Sequence, residues 1–501
     1  NGVVTATPAH LDPTDLDSVR RAVGLDQPAS RLQPVGMSRI VIGLTAIGEV
    51  PAIVAGLAGL GPIAVVTDAV PMRRGDADLK AAVRDALKGA GREVRSVVLG
   101  SPDDELHADA DAIAAAVAAA RGCSCVVSVG SGTICDVAKE ASRELGVPQV
   151  VVQTANSVNA FSDDMAVLLI HGVKRTVPSR WPDALVIDLE AIRSAPPRLN
   201  RAGVGELVAM FTAPADWRLA AAVGLDDTWD RRVVDLFRNG ADALLDAAPK
   251  ATSDDVAAHR TLAELMTLSG LALGIAGRTA PISGPEHTVS HLLDMAAAQS
   301  GRATGLHGAQ VGVAALAVSV LWDRLLASFD PERLLATPAP PASAMRARID
   351  DAFRDLDPSG AVATECWSAY ARKLGAWEQR RSELPRLVAG WDALVAELRT
   401  LLGAPPAIAA ALRSAGAAAT FDELDPPATR ATATWALLNG HLMRDRFTVA
   451  DLAFFGGAWS EDVAAEAIET AASLAATAGV RPTEGDGLPA DAALAPVRAT
   501  P

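Results

Sequence analysis

The chain has 501 residues, of which 50 % are hydrophobic, 21 % charged and only 4 % aromatic, enough for a large Ala/Val/Leu-packed core spread over more than one domain. Its formal charge of −15 excludes the broad basic surface that nucleic acid or an anionic membrane would need, so neither is expected as a partner. An anionic substrate would need a local basic pocket.

Residues 1–34 read as an N-terminal extension. The opening NGVVTATPAHLDPTD lacks a basic segment followed by an apolar one, so no signal peptide is expected and the cytoplasm is the expected location. The four cysteines, Cys123, Cys125, Cys135 and Cys366, fit buried thiols of a reducing compartment, with Cys123 and Cys125 expected on one face of a strand.

From residue 35 to 195, short β-branched runs alternate with Ala-rich amphipathic segments. Strands are expected at Arg39–Gly43, Ile63–Asp68, Val94–Gly100, Cys125–Gly130, Gln149–Gln153 and Ala184–Leu189. Helices are expected at Ala77–Ala90 and Ala108–Arg121. Strands alternating with helices of this length imply an α/β domain with a parallel, doubly wound sheet.

After Pro196-Pro197 the strand pattern fades. Helices are expected at Val204–Val223, Thr228–Ala247, Asp254–Ile275, Pro285–Ala298 and Leu306–Ala327, giving an all-α domain over 196–465. The most apolar run, Val311 to Trp322, is too short to span a bilayer and reads as a core helix. Residues 466–501 read as a flexible tail, since the Ala/Pro/Gly-rich end lacks periodicity.

Three of the eight histidines fall inside Ser283–Val311. On a helix, His287 and His291 project from one face, and His307 opens the next helix after a Gly/Arg/Thr-rich turn. Imidazole is the commonest metal-binding side chain near neutral pH, and two of them supply most of an open catalytic site. Glu206, eighty-one residues before His287, offers an oxygen ligand. Read alone, it is a carboxylate compensating a helix dipole.

Three further segments have a chemical reading beside a bland one. VVSVGSGTICDVAKE (Val126–Glu140) is a strand, a glycine turn and a helix start, where Gly130 and Gly132 would admit a phosphate to the helix N–H groups. It lacks the full dinucleotide fingerprint and the P-loop ending, so a turn that binds nothing is also compatible. Asp68, closing IAVVTD, can accept hydrogen bonds from a ribose or simply cap a turn. Thr154 to Ser162, TANSVNAFS, is a cofactor-contacting loop or plain punctuation.

Taken in order, GSGTICDVAK, TANSVNAFS, GVKRTVPSRWPDALVIDL, AGVGELVAMFTAPADWRLA, SGPEHTVSHLLDM, LHGAQVGVA and MRDRFTVADL resemble the iron-containing alcohol dehydrogenase/dehydroquinate synthase-like superfamily. Within it they resemble the glycerol-1-phosphate dehydrogenase branch. The resemblance implies an N-terminal dinucleotide-binding α/β domain, a helical second domain, and a cleft between them. That cleft would hold NAD or NADP and one divalent metal, zinc first, then nickel or iron.

By resemblance the metal ligands are Glu206, His287 and His307. The cofactor-binding residues are Asp68, Gly130, Ser131, Gly132, Asp136, Thr154 and Ser157. His291, Asn159 and Lys174 stand at the substrate. The activity implied is metal-dependent NAD(P)-linked oxidation of a small polyol phosphate, or reduction of the related ketone, by a chain that can form a homo-oligomer.

Two positions differ from that branch: Glu206 stands where it has Asp, and Asn159 where its T-A-x-S-x-D-G loop has Asp. Glu is the ligand type of the dehydroquinate synthases, so a sugar-phosphate cyclase is one alternative. A non-catalytic nucleotide-binding protein is another. Against the cyclase stand Ala209, where that family has Lys, and the missing V-G-G-K loop.

Overall fold

The computed structural model describes residues 10–27, 30–101, 106–170 and 173–479. Six parallel strands form one sheet: β1 (Arg39–Gly43), β2 (Ile63–Asp68), β3 (Val94–Leu99), β4 (Cys125–Gly130), β5 (Gln149–Gln153) and β6 (Ala184–Asp188), in spatial order β1-β6-β5-β4-β2-β3. β4 and β5 are buried at every position, as expected where helices cover both faces.

Alternation assigns side chains to the two faces. Ile63, Val65, Val127 and Val129 join one core cluster, whereas Ala64, Val66 and Val126 join the other. Cys123 precedes β4 and packs in the cluster opposite that of Cys125, so the two thiols do not share a face. All four cysteines are free and buried, and burial pushes the Cys125 and Cys135 thiols up to about 12.

The expected strands stand within one residue of their expected ends. Missed altogether was an antiparallel hairpin, Met165–Ile170 with Val173–Pro178. It is moored to the helix after β4, α1 (Gly132–Leu145), because the Val167 N–H donates to Asp136 Oδ2 at 3.1 Å.

The helical half departs from expectation at its breaks. The expected helix Val204–Val223 is instead α2 (Pro197–Leu207), a 3₁₀ turn Val208–Phe211, and a helix Ala213–Ala222. Pro214, which has no N–H and fits only a first turn, forces the new start. Thr228–Ala247 likewise splits into Arg231–Arg238 and Ala241–Ala247.

After the helix Val256–Ala276, two further long helices border the cleft, α3 (Pro285–Gln299) and α4 (His307–Ser328). α4 stands within a residue of the expected helix Leu306–Ala327 at both ends. At 22 residues, with an 18-residue stretch of mean hydropathy 1.6, it is long and apolar enough to cross a membrane, but 72 % of that stretch is buried inside the protein. The stretch Trp391–Ser414 also meets the length and composition test, yet its helices Trp391–Leu401 and Pro405–Ser414 are separate.

Residues 466–477 are not tail. They continue the helix Glu461–Thr477, which buries Ala464, Ala467, Ile468, Ala471 and Ala475. The rest of the expected tail, from residue 480, lies outside the described residues.

Candidate active site: a carboxylate and two imidazoles in a cleft

The carboxyl ends of β4 and β5 face α2, α3 and α4 across a cavity of about 320 Å³. Ligands of open parallel sheets bind outside these strand ends. Among the expected site residues, Ser131, Gly132, Asp136, Ser157, Asn159, Lys174, Glu206, His287, His291 and His307 all line it. Asp68, Gly130 and Thr154 do not.

Glu206 lies in the last turn of α2, not at a helix start as expected. A carboxylate there faces the negative end of the helix dipole, so dipole compensation cannot explain it. It is 2 % exposed, and its Oε2 has no hydrogen-bond partner among the described residues. A buried charge with an orphaned oxygen is costly unless something else pairs with it.

Two imidazoles face this carboxylate. His287, in the first turn of α3, brings Nε2 to 3.7 Å from Glu206 Oε1, and His307, opening α4, brings Nε2 to 3.7 Å from Oε2. The three donor atoms lie within 4.8 Å of one another. Two donors each ~2.1 Å from one ion can be at most about 4.2 Å apart, so both 3.7 Å separations suit a shared divalent ion.

The far nitrogens already have partners. His287 Nδ1 bonds Glu286 Oε1 at 3.0 Å, and since a carboxylate only accepts, the imidazole donates. Glu286 is fully buried and also accepts from Thr212 Oγ1 at 3.1 Å and from the Gly284 N–H.

Ser290 Oγ donates to Gln310 Oε1 at 2.7 Å, which spends its only proton, so it must accept from His307 Nδ1 at 2.8 Å. Gln310 Nε2 donates to Asp294 Oδ1 at 3.0 Å, and Lys174 Nζ donates to Asp294 Oδ2 at 2.6 Å. Both imidazoles are thereby fixed as the tautomer with Nε2 free for a metal. Glu286, Ser290, Gln310 and Asp294 escaped the sequence reading. The only hint was an acidic residue immediately before His287.

Electrostatics agree with a cation site. Burial alone would raise Glu206, but the two imidazoles hold it below the usual carboxylate range. Burial would lower His287, yet the carboxylates of Glu206 and Glu286 carry it up to about 9. Burial keeps His291 well below an ordinary histidine, and nearby Arg444 adds to the effect.

At the other end of the cavity, Ser131 precedes α1 in extended conformation and makes no side-chain cap, leaving the first N–H groups without a side-chain acceptor. A Cβ on Gly130 would come within 2.6 Å of Ile134, so this glycine serves strand–helix packing more than ligand approach. Thr154 Oγ1 donates to Gly130 O at 2.9 Å and braces the turn. Asp136 Oδ1 has no hydrogen bond among the described residues but lies 3.8 Å from Lys139 Nζ, and burial, opposed by Lys139, raises the carboxyl to about 7. Asn159 leaves its buried Nδ2 unpartnered.

Asp68 ends β2 beside the glycine turn, since Thr67 pairs with Val129. Its Oδ1 accepts from Lys80 Nζ at 2.7 Å and from the Val70 N–H at 3.1 Å.

Residues 41–196 match the family model of the iron-containing alcohol dehydrogenases. Glycerol-1-phosphate dehydrogenase [NAD(P)+] of Halalkalibacterium halodurans is 32 % identical over 242 residues, covering 48 % of this chain and 60 % of that protein. Its namesake from Bacillus licheniformis is 32 % identical over 206 residues, covering 40 % of this chain and 50 % of that protein. The chain thus spans about half the length of the curated relatives it matches. A probable glycerol dehydrogenase from Sinorhizobium meliloti superposes with a TM-score of 0.53 at 17 % identity, over 89 % of this chain and 99 % of the other. In the sequence of residues 41–196 and in its fold, the chain resembles the iron-containing alcohol dehydrogenases, with glycerol-1-phosphate dehydrogenases among its relatives.

Proposed function

We propose that this protein is a metal-dependent, NAD(P)-linked oxidoreductase that interconverts a small polyol phosphate and the corresponding ketone. The observation that carries the reading is the set Glu206, His287 and His307, two imidazoles fixed with Nε2 free around a buried orphan carboxylate, in a cleft that begins at a glycine turn. The names of the relatives supply the polyol phosphate and the dinucleotide.

A divalent ion, zinc by its nitrogen-rich donor set, would supply Lewis acidity at the substrate oxygen. The nicotinamide would carry the hydride. The protein's own part is placement. The N–H groups opening α1 and the Ser131–Gly132 turn receive the dinucleotide phosphates, and Asp136 and Ser157 bound its reactive end. Asn159 Nδ2 donates to substrate. His291, held neutral by its surroundings, accepts the hydroxyl proton in oxidation and returns it in reduction. Lys174, already paired with Asp294, orients the relay behind His307. Such an enzyme would draw on the cytoplasmic dinucleotide pool.

The test is to supply metal-replete protein with glycerol 1-phosphate and other polyol phosphates plus NAD⁺ or NADP⁺. Net formation of reduced cofactor is the expected result. Release of inorganic phosphate without it would identify a cyclase, and neither across the panel would leave a binding protein.

A further inference from the structure

A second cavity of about 510 Å³ adjoins the first. The two share Met165, Thr176, Thr279, Ser283, His287 and His291 as a common wall. One small molecule can therefore reach from the Glu206/His287/His307 cluster into both. The second cavity is strongly basic, with Arg278, Arg372, Lys373, Arg444 and Arg446 on its lining.

Three of those cations are already neutralised. Arg278 pairs with Asp226 at 2.5 Å, Arg372 with Asp445 at 2.9 Å, and Lys373 with Asp451 at 2.7 Å. The other two are not. Among the described residues Arg444 has no hydrogen bond and no ion pair, and Arg446 has only a hydrogen bond to Thr279 Oγ1. Arg446 feels Glu286 and Asp216, but neither comes within the 4.0 Å of an ion pair. Both guanidiniums are partly buried and repel each other, and Arg175 adds to the repulsion at Arg444. In the first cavity Lys174 is spent on Asp294.

The segment bearing the two arginines is braced. Lys373, fully buried, donates to His441 O and to Arg446 O at 3.1 Å, clamping both ends of 441–446. Asp451 caps the following helix through Thr448, and Asp216 accepts from the Val449 N–H at 2.6 Å. Two unpaired guanidiniums held rigidly together make a site that lacks only its anion. Repulsion that costs stability in the free protein becomes attraction when a dianion arrives.

We propose that Arg444 and Arg446 bind the phosphate monoester of the substrate, and so set this enzyme's preference for phosphorylated over unphosphorylated polyols. The inference rests on the oxidoreductase reading above. A phosphate monoester carries roughly −1.5 to −2 charges and three acceptor oxygens, enough for two guanidinium forks, whereas a carboxylate satisfies one. The dinucleotide phosphates have their own place at the α1 end of the first cavity, across the shared wall.

The experiment titrates inorganic phosphate into metal-loaded wild type, Arg444→Met and Arg444→Lys by calorimetry, beside steady-state kinetics and NADH binding. Because Arg444 has no hydrogen-bond or ion-pair partner among the described residues, Arg444→Met should keep or raise the Tm, so a fold defect does not confuse the result. Phosphate binding should weaken at least tenfold in Arg444→Met and recover partly in Arg444→Lys. KM for the polyol phosphate should rise at least tenfold, the ratio of kcat/KM for phosphorylated over unphosphorylated polyol should fall at least tenfold, and NADH affinity should be little changed.

Wild-type phosphate affinity in folded Arg444→Met, or weaker NADH binding in its place, would overturn the proposal. Phosphate binding lost in the variant of a protein that turns over no substrate would uphold the anion site and sink the oxidoreductase reading instead. Turnover of polyol phosphate with an unchanged KM in the variant would do the reverse.

Discussion

Gly205 and Gly308 touch where α2 crosses α4: a Cβ on Gly205 would fall 2.1 Å from Gly308 O, and one on Gly308 would fall 2.2 Å from Ala202 O. Each glycine adjoins a candidate metal ligand, Glu206 and His307, so this close approach brings the carboxylate to the imidazole. Gly205→Ala should force the helices apart, lowering stability by ~1–3 kcal/mol and metal affinity by at least tenfold. Thermal melts and metal titration check both. Unchanged metal affinity would show that the pair serves packing alone.

Glu286 should act on the metal through His287. Glu286→Gln keeps the size but removes the charge that fixes the imidazole proton on Nδ1, so metal affinity should fall about 10–100-fold in chelator competition. His287→Ala should lose the metal outright while the fold persists. Equal affinity in Glu286→Gln and wild type would reduce Glu286 to a helix-start residue.

Metal uptake should depend on pH. Without metal, His287 titrates near 9, and binding needs it neutral, so below that pH the metal displaces a proton. Affinity should then rise about tenfold per pH unit from pH ~6 to ~8. The sign for the metal-free fold is opposite. A histidine raised above its ordinary 6.5 stabilises fully below 6.5, and that contribution is lost as pH rises through about 9. Titrations in buffers of different ionisation enthalpy count the protons, and no proton release near neutrality would contradict the shift.

The Asn159 Nδ2 has no hydrogen bond to lose in the free protein, since it has no partner among the described residues. Asn159→Ala should therefore leave the Tm nearly unchanged and lower kcat/KM at least tenfold, the loss expected of roughly one substrate hydrogen bond. An unaffected kcat/KM would remove the residue from the site.

Asp68 should show two separable effects. Asp68→Ser takes the carboxylate away from the Lys80 ammonium, leaving it the Asp68 and Val70 carbonyls, and should cost ~1–3 kcal/mol of stability. If the carboxylate also accepts the ribose hydroxyls, the ratio of kcat/KM for NAD over NADP should fall in the variant. A wild-type enzyme strongly preferring NADP would defeat the contact, whatever happens to the Tm.

Much of this protein was legible in its sequence. β-branched runs between glycine turns located six parallel strands to within a residue, because strand and turn propensities act over a few neighbours. The i, i+4 spacing of His287 and His291, with His307 after a turn, pointed to the cluster for the same reason. Tertiary structure alone decided the rest. Glu206 looked like the start of a helix and proved to be its end, because Pro197 starts α2 early and Pro214 opens a separate helix beyond it. The hairpin at 165–178 carries no strong period, and its place depends on Asp136. Thr212 lies 74 residues from the Glu286 it bonds, and Gln310 lies 20 from Ser290, yet nothing in those spacings marks the partners that fix each imidazole. Side chains converge only once helices pack, and packing here turns on backbone contacts between glycines that no local pattern records.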